Sequence, residues 1–155
     1  MNNKYLDFYN NLVNLTTNKS LYTNLKDNKD SFGDRLSLFL FHFAFILKEY
    51  KNNENKKKLQ ELYDFNFRQL ELSVREIGYG DQSINKKMKD YLNLFHSIIF
   101  NIHFWENMDL SKKKECLLIF LQNFRNIDFL VRYFEDFYLN LKKYDLNSYL
   151  KSVSK

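Results

Sequence analysis

Residues 65–95 read FNFRQLELSVREIGYGDQSINKKMKDYLNLF, and this stretch decides the fold. Two of the 3 glycines of the chain, Gly78 and Gly80, lie at its centre. A helical pattern of apolar residues leads into Gly78, and another begins just after Asp81. Because glycine tolerates a positive φ, Gly78 is predicted as the C′ residue of the first helix. The stretch predicts two long helices joined by a tight αα-hairpin turn, the corner, residues 78–81.

Both corner helices carry an apolar stripe spaced for burial on one side. The stripe before the corner consists of Leu59, Leu62, Tyr63, Phe67 (or Asn66), Leu70 and Val74. The stripe after it consists of Ile84, Met88, Tyr91, Leu92, Phe95, Ile98, Ile99 and Ile102. Gly80 is expected to allow a second sharp turn, and either Asp81 or Ser83 is expected to cap the second helix.

The rest of the chain is also helical in pattern. A helix that begins at Asp30 or Ser31 and ends near Lys51 is apolar nearly all round over 36–47, which predicts a central helix covered on several sides. Before the central helix, the pattern predicts a helix over Lys4–Leu15 and a short turn that is capped by Ser20 and holds Leu21, Tyr22 and Leu25. After the corner helices, it predicts a break at Trp105–Asp109 and a fifth helix that is capped by Asp109 or Ser111 and carries apolar residues as far as Phe124. A sixth helix over Asp128–Lys143 and a terminal turn or helix over Asp145–Val153 complete the chain. We expect a single all-α domain over residues 1–155, with about six to seven helices.

The amino-acid composition agrees with an all-α fold, argues against a transmembrane helix, and gives the chain a positive net charge. The 155 residues contain no proline and only 3 glycines, which argues against sandwiches and barrels because their frequent turns need these residues. The longest apolar run, Leu36–Leu47, is shorter than the ~20 residues of a transmembrane helix, and no signal peptide is evident at the start. The net charge of +5 is compatible with contact with anionic lipid or RNA.

Candidate chemistry is sparse. His96 and His103 are seven residues apart and could share a helix face, with Glu106 three residues further on. The chain has neither an H-E-x-x-H motif nor a repeated E-x-x-H pair, which are the spacings that metal sites on helices use. His42 is interpreted as a hydrogen-bonded core histidine or part of a groove wall, and the single Cys116 as a buried structural thiol. We therefore expect no catalytic residue, no metal and no cofactor.

Three lysine clusters, Lys56–Lys58, Lys86–Lys89 and Lys112–Lys114, lie at or near predicted helix starts. They are interpreted either as solvated helix ends or as a basic face for anionic lipid or ribosomal RNA.

The corner also carries a family resemblance. The string Val74-Arg75-Glu76-Ile77-Gly78-Tyr79-Gly80-Asp81, followed by Ile84, Lys86-Lys87-Met88-Lys89 and Phe95, resembles the ubiquinol–cytochrome c chaperone family. The similarity extends over about residues 5–96 and includes Leu21–Leu25 and the entry into the apolar helix at Asp34-Arg35. The chain departs from the family pattern at Gln69 and at His96-Ser97-Ile98.

The resemblance implies a non-enzymatic assembly factor of the cytochrome bc1 complex. Mitochondrial relatives bind newly made cytochrome b at the ribosome exit together with a small helper protein. The implied client is cytochrome b or another bc1 subunit. The ribosome and the anionic membrane surface are further implied contacts, and no contact with DNA is implied. The location implied is the bacterial cytoplasm at the inner membrane, or the matrix side of the mitochondrial inner membrane.

Candidate contact residues for this function are Arg75, Glu76, Tyr79, Asp81, Lys86, Lys87 and Lys89. We expect them to border an aromatic groove walled by the central helix and the two corner helices. Arg75 and Asp81 have an alternative interpretation as a salt bridge or cap that fixes the corner. Other hypotheses for the whole chain are a generic helical adaptor, an enzyme of unknown type and a peripheral lipid-binding protein.

Overall fold

The computed structural model describes residues 3–22 and 32–154, which fold into helices joined by short turns. The α-helices of this part of the chain are α1 Asn3–Thr16, α2 Lys19–Tyr22, α3 Phe32–Tyr50, α4 Lys56–Ile77, α5 Asp81–Ile102, α6 Leu110–Leu118, α7 Ile127–Leu141 and α8 Leu146–Val153. A turn of 3₁₀ helix, Trp105–Asn107, separates α5 from α6. The all-α prediction is confirmed, although the short α2 and α8 raise the number of described helices above the six to seven expected.

Helix α3 lies at the centre, as its apolar sequence predicted. Every residue over 36–46 is buried, because α1, α5 and α7 pack around the helix. Phe43 stacks on Phe95 of α5 with ring centroids 5.2 Å apart, and Phe41 contacts Phe134 of α7 at 5.5 Å. The central helix therefore joins the corner helices to the C-terminal part of the fold.

Phe45 is the hub of an aromatic cluster between α3, the 3₁₀ helix and α7. Its ring lies 5.1 Å from Trp105, 5.5 Å from Phe134 and 5.4 Å from Tyr138, measured between centroids. Phe45 and Phe134 are fully buried. Aromatic pairs of this kind contribute about 0.5–1.5 kcal/mol each beyond the burial of their area. The cluster therefore ties α3 to the 3₁₀ helix and to α7.

Helix α6 ends earlier than the sequence pattern predicted. It stops at Leu118, and the chain continues through turns to the start of α7. Leu121 and Phe124 are nevertheless buried, so their apolar spacing reflects burial rather than helix. Asn123 in these turns donates a hydrogen bond to the carboxylate of Asp34 at 3.1 Å, which ties the turns to α3.

Side-chain hydrogen bonds to backbone N–H groups explain where α6 and α2 begin. Asp109 caps α6, accepting from the Lys112 backbone N–H at 2.8 Å, which decides between the Asp109 and Ser111 alternatives. Asn18, rather than Ser20, provides the cap of α2: its side-chain oxygen accepts from the Ser20 backbone N–H at 3.1 Å. The caps predicted at Asp30 or Ser31, and the position of Leu25, lie outside the described residues.

A bilayer-spanning helix was not found in the described residues. Over 3–22 and 32–154, no helix combines the length and the apolar character that crossing a membrane requires.

Candidate functional site

The corner has the tight geometry that its glycines suggest. Helix α4 ends at Ile77, and Gly78 follows with φ 104° and ψ 17°, a left-handed conformation that L side chains rarely adopt. The Gly78 backbone N–H donates to the carbonyl of Arg75 at 3.0 Å. Helix α5 then begins at Asp81, only two residues beyond Tyr79.

Two details at the start of α5 differ from the sequence expectation. Gly80 has φ −74° and ψ 164°, an extended conformation open to any residue, so no second sharp turn requires glycine there. Gly80 is itself the N-cap residue, and neither Asp81 nor Ser83 caps the helix. The Asp81 carboxylate is instead directed to Arg75, as described next.

Arg75 closes the corner with an ion pair between its two helices. Its Nη1 lies 2.8 Å from Oδ1 of Asp81, and its Nε lies 3.7 Å from Oε2 of Glu71 one turn earlier. The pKa of Arg75 is raised, chiefly by the hydrogen bond to Asp81. The structural interpretation of Arg75 and Asp81 thus has direct geometric support. Both side chains are exposed, so they also remain accessible to a partner.

The remaining candidate contact residues lie around this ion pair. The Lys87 ammonium lies 4.4 Å from the centre of the Tyr79 ring, a cation–π contact across the corner. Lys86 and Lys89 are exposed on α5, and no carboxylate in the described parts of the chain forms an ion pair with them. Glu76 is also exposed. The corner therefore displays unneutralised positive charge on α5; its use for binding stays a prediction.

A matched pair of variants tests the corner geometry. Gly78→Ser should lower the free energy of unfolding by about 1–2 kcal/mol, because a residue with a Cβ is strained at this positive φ. Gly80→Ser should leave stability unchanged or raise it by up to about 1 kcal/mol, because serine suits an N-cap position, restricts the unfolded chain, and places a Cβ that meets no atom within 4 Å. Urea denaturation measures both. An equal loss in both variants would contradict the assignment of the two glycines.

The histidines do not converge on a metal site. His96 lies 3.3 Å from the Tyr63 hydroxyl, whereas Glu106 is paired with Lys48 at 3.0 Å. The main-chain carbonyl of His103 accepts a further hydrogen bond from Lys48. Among the residues that the structure describes, no three His, Cys, Asp or Glu side chains lie close enough together to hold a metal ion. These contacts fix the end of α5 against α3.

His42 is a hydrogen-bonded core histidine, one of the two interpretations given above. Its Nδ1 lies 2.7 Å from the Leu38 carbonyl and its Nε2 lies 2.6 Å from the Tyr133 hydroxyl. The carbonyl only accepts, so Nδ1 carries the proton and Nε2 accepts from Tyr133. Burial lowers the pKa of His42 to about 4, so the ring is neutral at pH 7.

Cys116 is a buried structural thiol, as predicted. Its Sγ lies 3.3 Å from the carbonyl of Asn101, and burial raises the pKa of the thiol to about 11. This environment suppresses the thiolate that nucleophilic chemistry needs.

The lysine cluster of α6 is mostly neutralised by neighbours. Lys113 pairs with Glu135 and Lys114 pairs with Asp128 of α7, the latter at 2.6 Å. Lys112 pairs with Glu115 within α6 at 3.6 Å. This cluster therefore holds α6 on α7 and offers little net charge, in contrast to Lys86–Lys89.

Two grooves with largely apolar walls lie away from the lysines of the corner. The first, of about 350 Å³, runs between α1, α3 and α4 and contains Tyr9, Phe39 and Ile77. The second, of about 650 Å³, runs between the C-terminal part of α5 and α6 and contains Phe100 and Phe104. The sequence predicted a groove walled by α3, α4 and α5, and neither of these grooves matches that prediction. The first has α1 in place of α5, and the second is formed by α5 and α6 without α3 or α4.

Sequence reasoning missed the second groove. Phe100 and Phe104 are four residues apart and lie outside the buried stripe that contains Ile98 and Ile102. This spacing was the one sequence signal of a second apolar face at the end of α5. The exposure of Phe100 and Phe104 could not be inferred, because it depends on which neighbouring helix covers them.

Comparison with known proteins links the chain to a protein family. The family model described as Ubiquinol-cytochrome C chaperone matches residues 27–103, about half of the chain. The matched range contains α3, α4, the corner and α5. No curated protein and no solved structure matched the chain.

Proposed function

Because the chain belongs to the ubiquinol-cytochrome C chaperone family, we propose that it is a non-enzymatic assembly factor that binds newly made cytochrome b. The family itself supports a chaperone role in assembly of the cytochrome bc1 complex. The observation that carries the proposal is the extent of the match, which encloses the corner and both of its helices. In this proposal the chain acts as one domain, with the corner as a contact surface.

The proposed contact surface consists of Arg75, Glu76, Tyr79, Asp81, Lys86, Lys87 and Lys89. Exposed charges at such a surface orient a partner and speed its approach more than they increase affinity. Newly made cytochrome b is an integral membrane protein, so its polar loops meet the chain close to anionic lipid headgroups. The charged groups of Lys86 and Lys89 favour this position at the membrane surface. In a bacterium this is the cytoplasmic face of the inner membrane, and in a mitochondrion its matrix face.

The family function is tested by deleting the gene and recording haem spectra of the membranes. We expect selective loss of b-type and c1-type absorbance, restored by the wild-type chain. Normal bc1 content in the deletion strain, together with no recovery of cytochrome b in a pulldown, would leave a generic helical adaptor as the better interpretation.

The corner surface is tested separately, by charge reversal in the complemented strain. Lys86→Glu combined with Lys89→Glu should reduce bc1 content several-fold, because the positive face that orients the client is inverted. Lys56→Glu combined with Lys57→Glu is the matched control, since it reverses the same charge at the far end of α4, about 27 Å along the helix from Arg75. Haem spectra and the amount of soluble chain are measured in both strains. Equal effects of the two pairs would contradict a specific role for the corner.

Membrane contact by the same lysines is measured with vesicles. The purified chain should bind anionic vesicles at low salt and dissociate at high salt, because charge interactions with lipid are screened. The Lys86→Glu, Lys89→Glu variant should bind less. Absence of vesicle binding by the wild-type chain at low salt would remove the membrane surface from the proposal and leave the protein client.

A further inference from the structure

The groove between α5 and α6, which we call the α5–α6 groove, gathers exposed apolar side chains at one place. Phe100 is 81% exposed, Phe104 is 62% exposed and Ile119 is 55% exposed, and all three line it. Single exposed apolar residues are common on protein surfaces. Three bulky ones around one concavity of about 650 Å³ are characteristic of a binding surface.

The α5–α6 groove is balanced in charge. Its charged lining residues, Lys112 and Glu115, form an exposed ion pair at 3.6 Å, and its other polar lining residues include Asn101, His96 and His103. Cys116 lies on its floor, and burial keeps this thiol neutral. The neighbouring Lys113 is turned away to Glu135 of α7. A charged ligand would find no unpaired countercharge among these residues, so the complementary occupant is an uncharged, apolar one.

The walls of the α5–α6 groove are held in place by contacts outside it. Lys113 and Lys114 fix α6 on α7 through their ion pairs with Glu135 and Asp128. On the other wall, Lys48 bonds to Glu106 and to the carbonyl of His103. A preformed apolar groove binds a partner with a smaller ordering cost than one that must first open.

The length of the α5–α6 groove fits part of a helix. Helix α6 has 9 residues, which corresponds to about 14 Å. The opposite wall extends from His96 to Phe104 and has a similar length. About two turns of an apolar helix would be covered, with anchors at the i, i+3, i+4 and i+7 positions that helix-in-groove recognition uses.

We infer that the α5–α6 groove holds an apolar helical segment of newly made cytochrome b before that segment enters the bilayer. The inference rests on the proposed function, which supplies a membrane subunit as the client. We assign the occupant to a membrane-spanning helix of the client because the groove offers no unpaired charge. Membrane-spanning helices have few charged residues, unlike the amphipathic helices of soluble partners. Phe100 lies about 21 Å along α5 from Lys86, so one client can reach both surfaces.

Photo-crosslinking tests the occupant directly. Phe100 or Ile119 is replaced by p-benzoylphenylalanine in the full chain, in cells in which the bc1 subunits are labelled during synthesis. We expect an adduct with cytochrome b at both positions. The matched control is Leu6, which is 43% exposed on α1, a helix packed against α3, α4 and α8, and should give no such adduct. An adduct of two copies of the chain, or none with cytochrome b, would overturn the inference.

A genetic comparison separates this inference from the proposed function. Phe100→Glu with Ile119→Glu should lower bc1 content nearly as far as deletion, whereas Leu6→Glu should not. Both positions are exposed, so the fold tolerates the change, and the amount of soluble chain verifies this. If deletion abolishes the complex but the double variant supports normal bc1 content, the groove inference fails and the family function stands. If deletion has no effect, the proposed function fails first.

Discussion

Phe45→Ala is expected to lower the free energy of unfolding by about 3–5 kcal/mol, because it empties the middle of the aromatic cluster. The Phe45 side chain is fully buried and its ring contacts those of Trp105, Phe134 and Tyr138. Truncation removes buried apolar area and leaves a cavity whose walls belong to three elements. Because a native domain typically has only ~5–15 kcal/mol of stability, this loss is a large fraction of the total.

Urea denaturation followed by circular dichroism measures this loss. Phe100→Ala is the matched control, since it removes the same ring from a side chain that is 81% exposed and should change stability by less than about 0.5 kcal/mol. A loss below about 1 kcal/mol for Phe45→Ala would mean that the cluster is not packed as described.

Acidification from pH 6.5 to pH 4 should remove about 3 kcal/mol of stability through His42 alone. Burial lowers the pKa of His42 from 6.5 to about 4, so the native ring stays neutral in this range. The unfolded chain binds a proton below pH 6.5 and therefore binds more protons than the native chain between the two values. The stabilisation is complete above pH 6.5 and is lost as the pH falls towards 4.

The measurement compares the pH dependence of unfolding in two variants. His42→Gln removes the titrating ring and should flatten the dependence between pH 6.5 and pH 4 relative to the wild-type chain. His103→Gln removes an exposed histidine and should preserve the steep dependence. Carboxylates titrate in all three proteins and cancel in the comparison. An identical pH profile for wild type and His42→Gln would show that His42 is not the group responsible.

The elements best predicted from the sequence are those whose pattern has a single physical cause. The long apolar run of α3, interrupted only by Ser37 and His42, requires cover on several sides, and α1, α5 and α7 provide that cover. Gly78 marks a positive φ because glycine adopts that conformation without strain. Gly80 shows the limit of that signal, since the residue type alone does not say which glycine has the special backbone. The two side chains considered as caps of α5, Asp81 and Ser83, show the same limit: a carboxylate near a helix start can pair with an arginine instead.

The least predictable features depend on contacts between distant parts of the chain. Leu121 and Phe124 continue an apolar spacing beyond Leu118 and are buried, yet α6 has already ended. Burial selects apolar residues in turns as well as in helices, so spacing alone extended the helix too far. The α5–α6 groove was missed for a related reason. The exposure of Phe100 depends on which neighbouring helix covers it, and no local pattern contains that information.

The environment of Cys116 has a consequence for redox chemistry. It is the single cysteine of the chain, and with its pKa at about 11 only about one thiol in ten thousand is ionised at pH 7. Peroxides and disulfides react with the thiolate, so oxidation of this chain should be slow. The one sulfhydryl of the chain is buried beneath the α5–α6 groove and is thereby unsuited to act as a redox sensor.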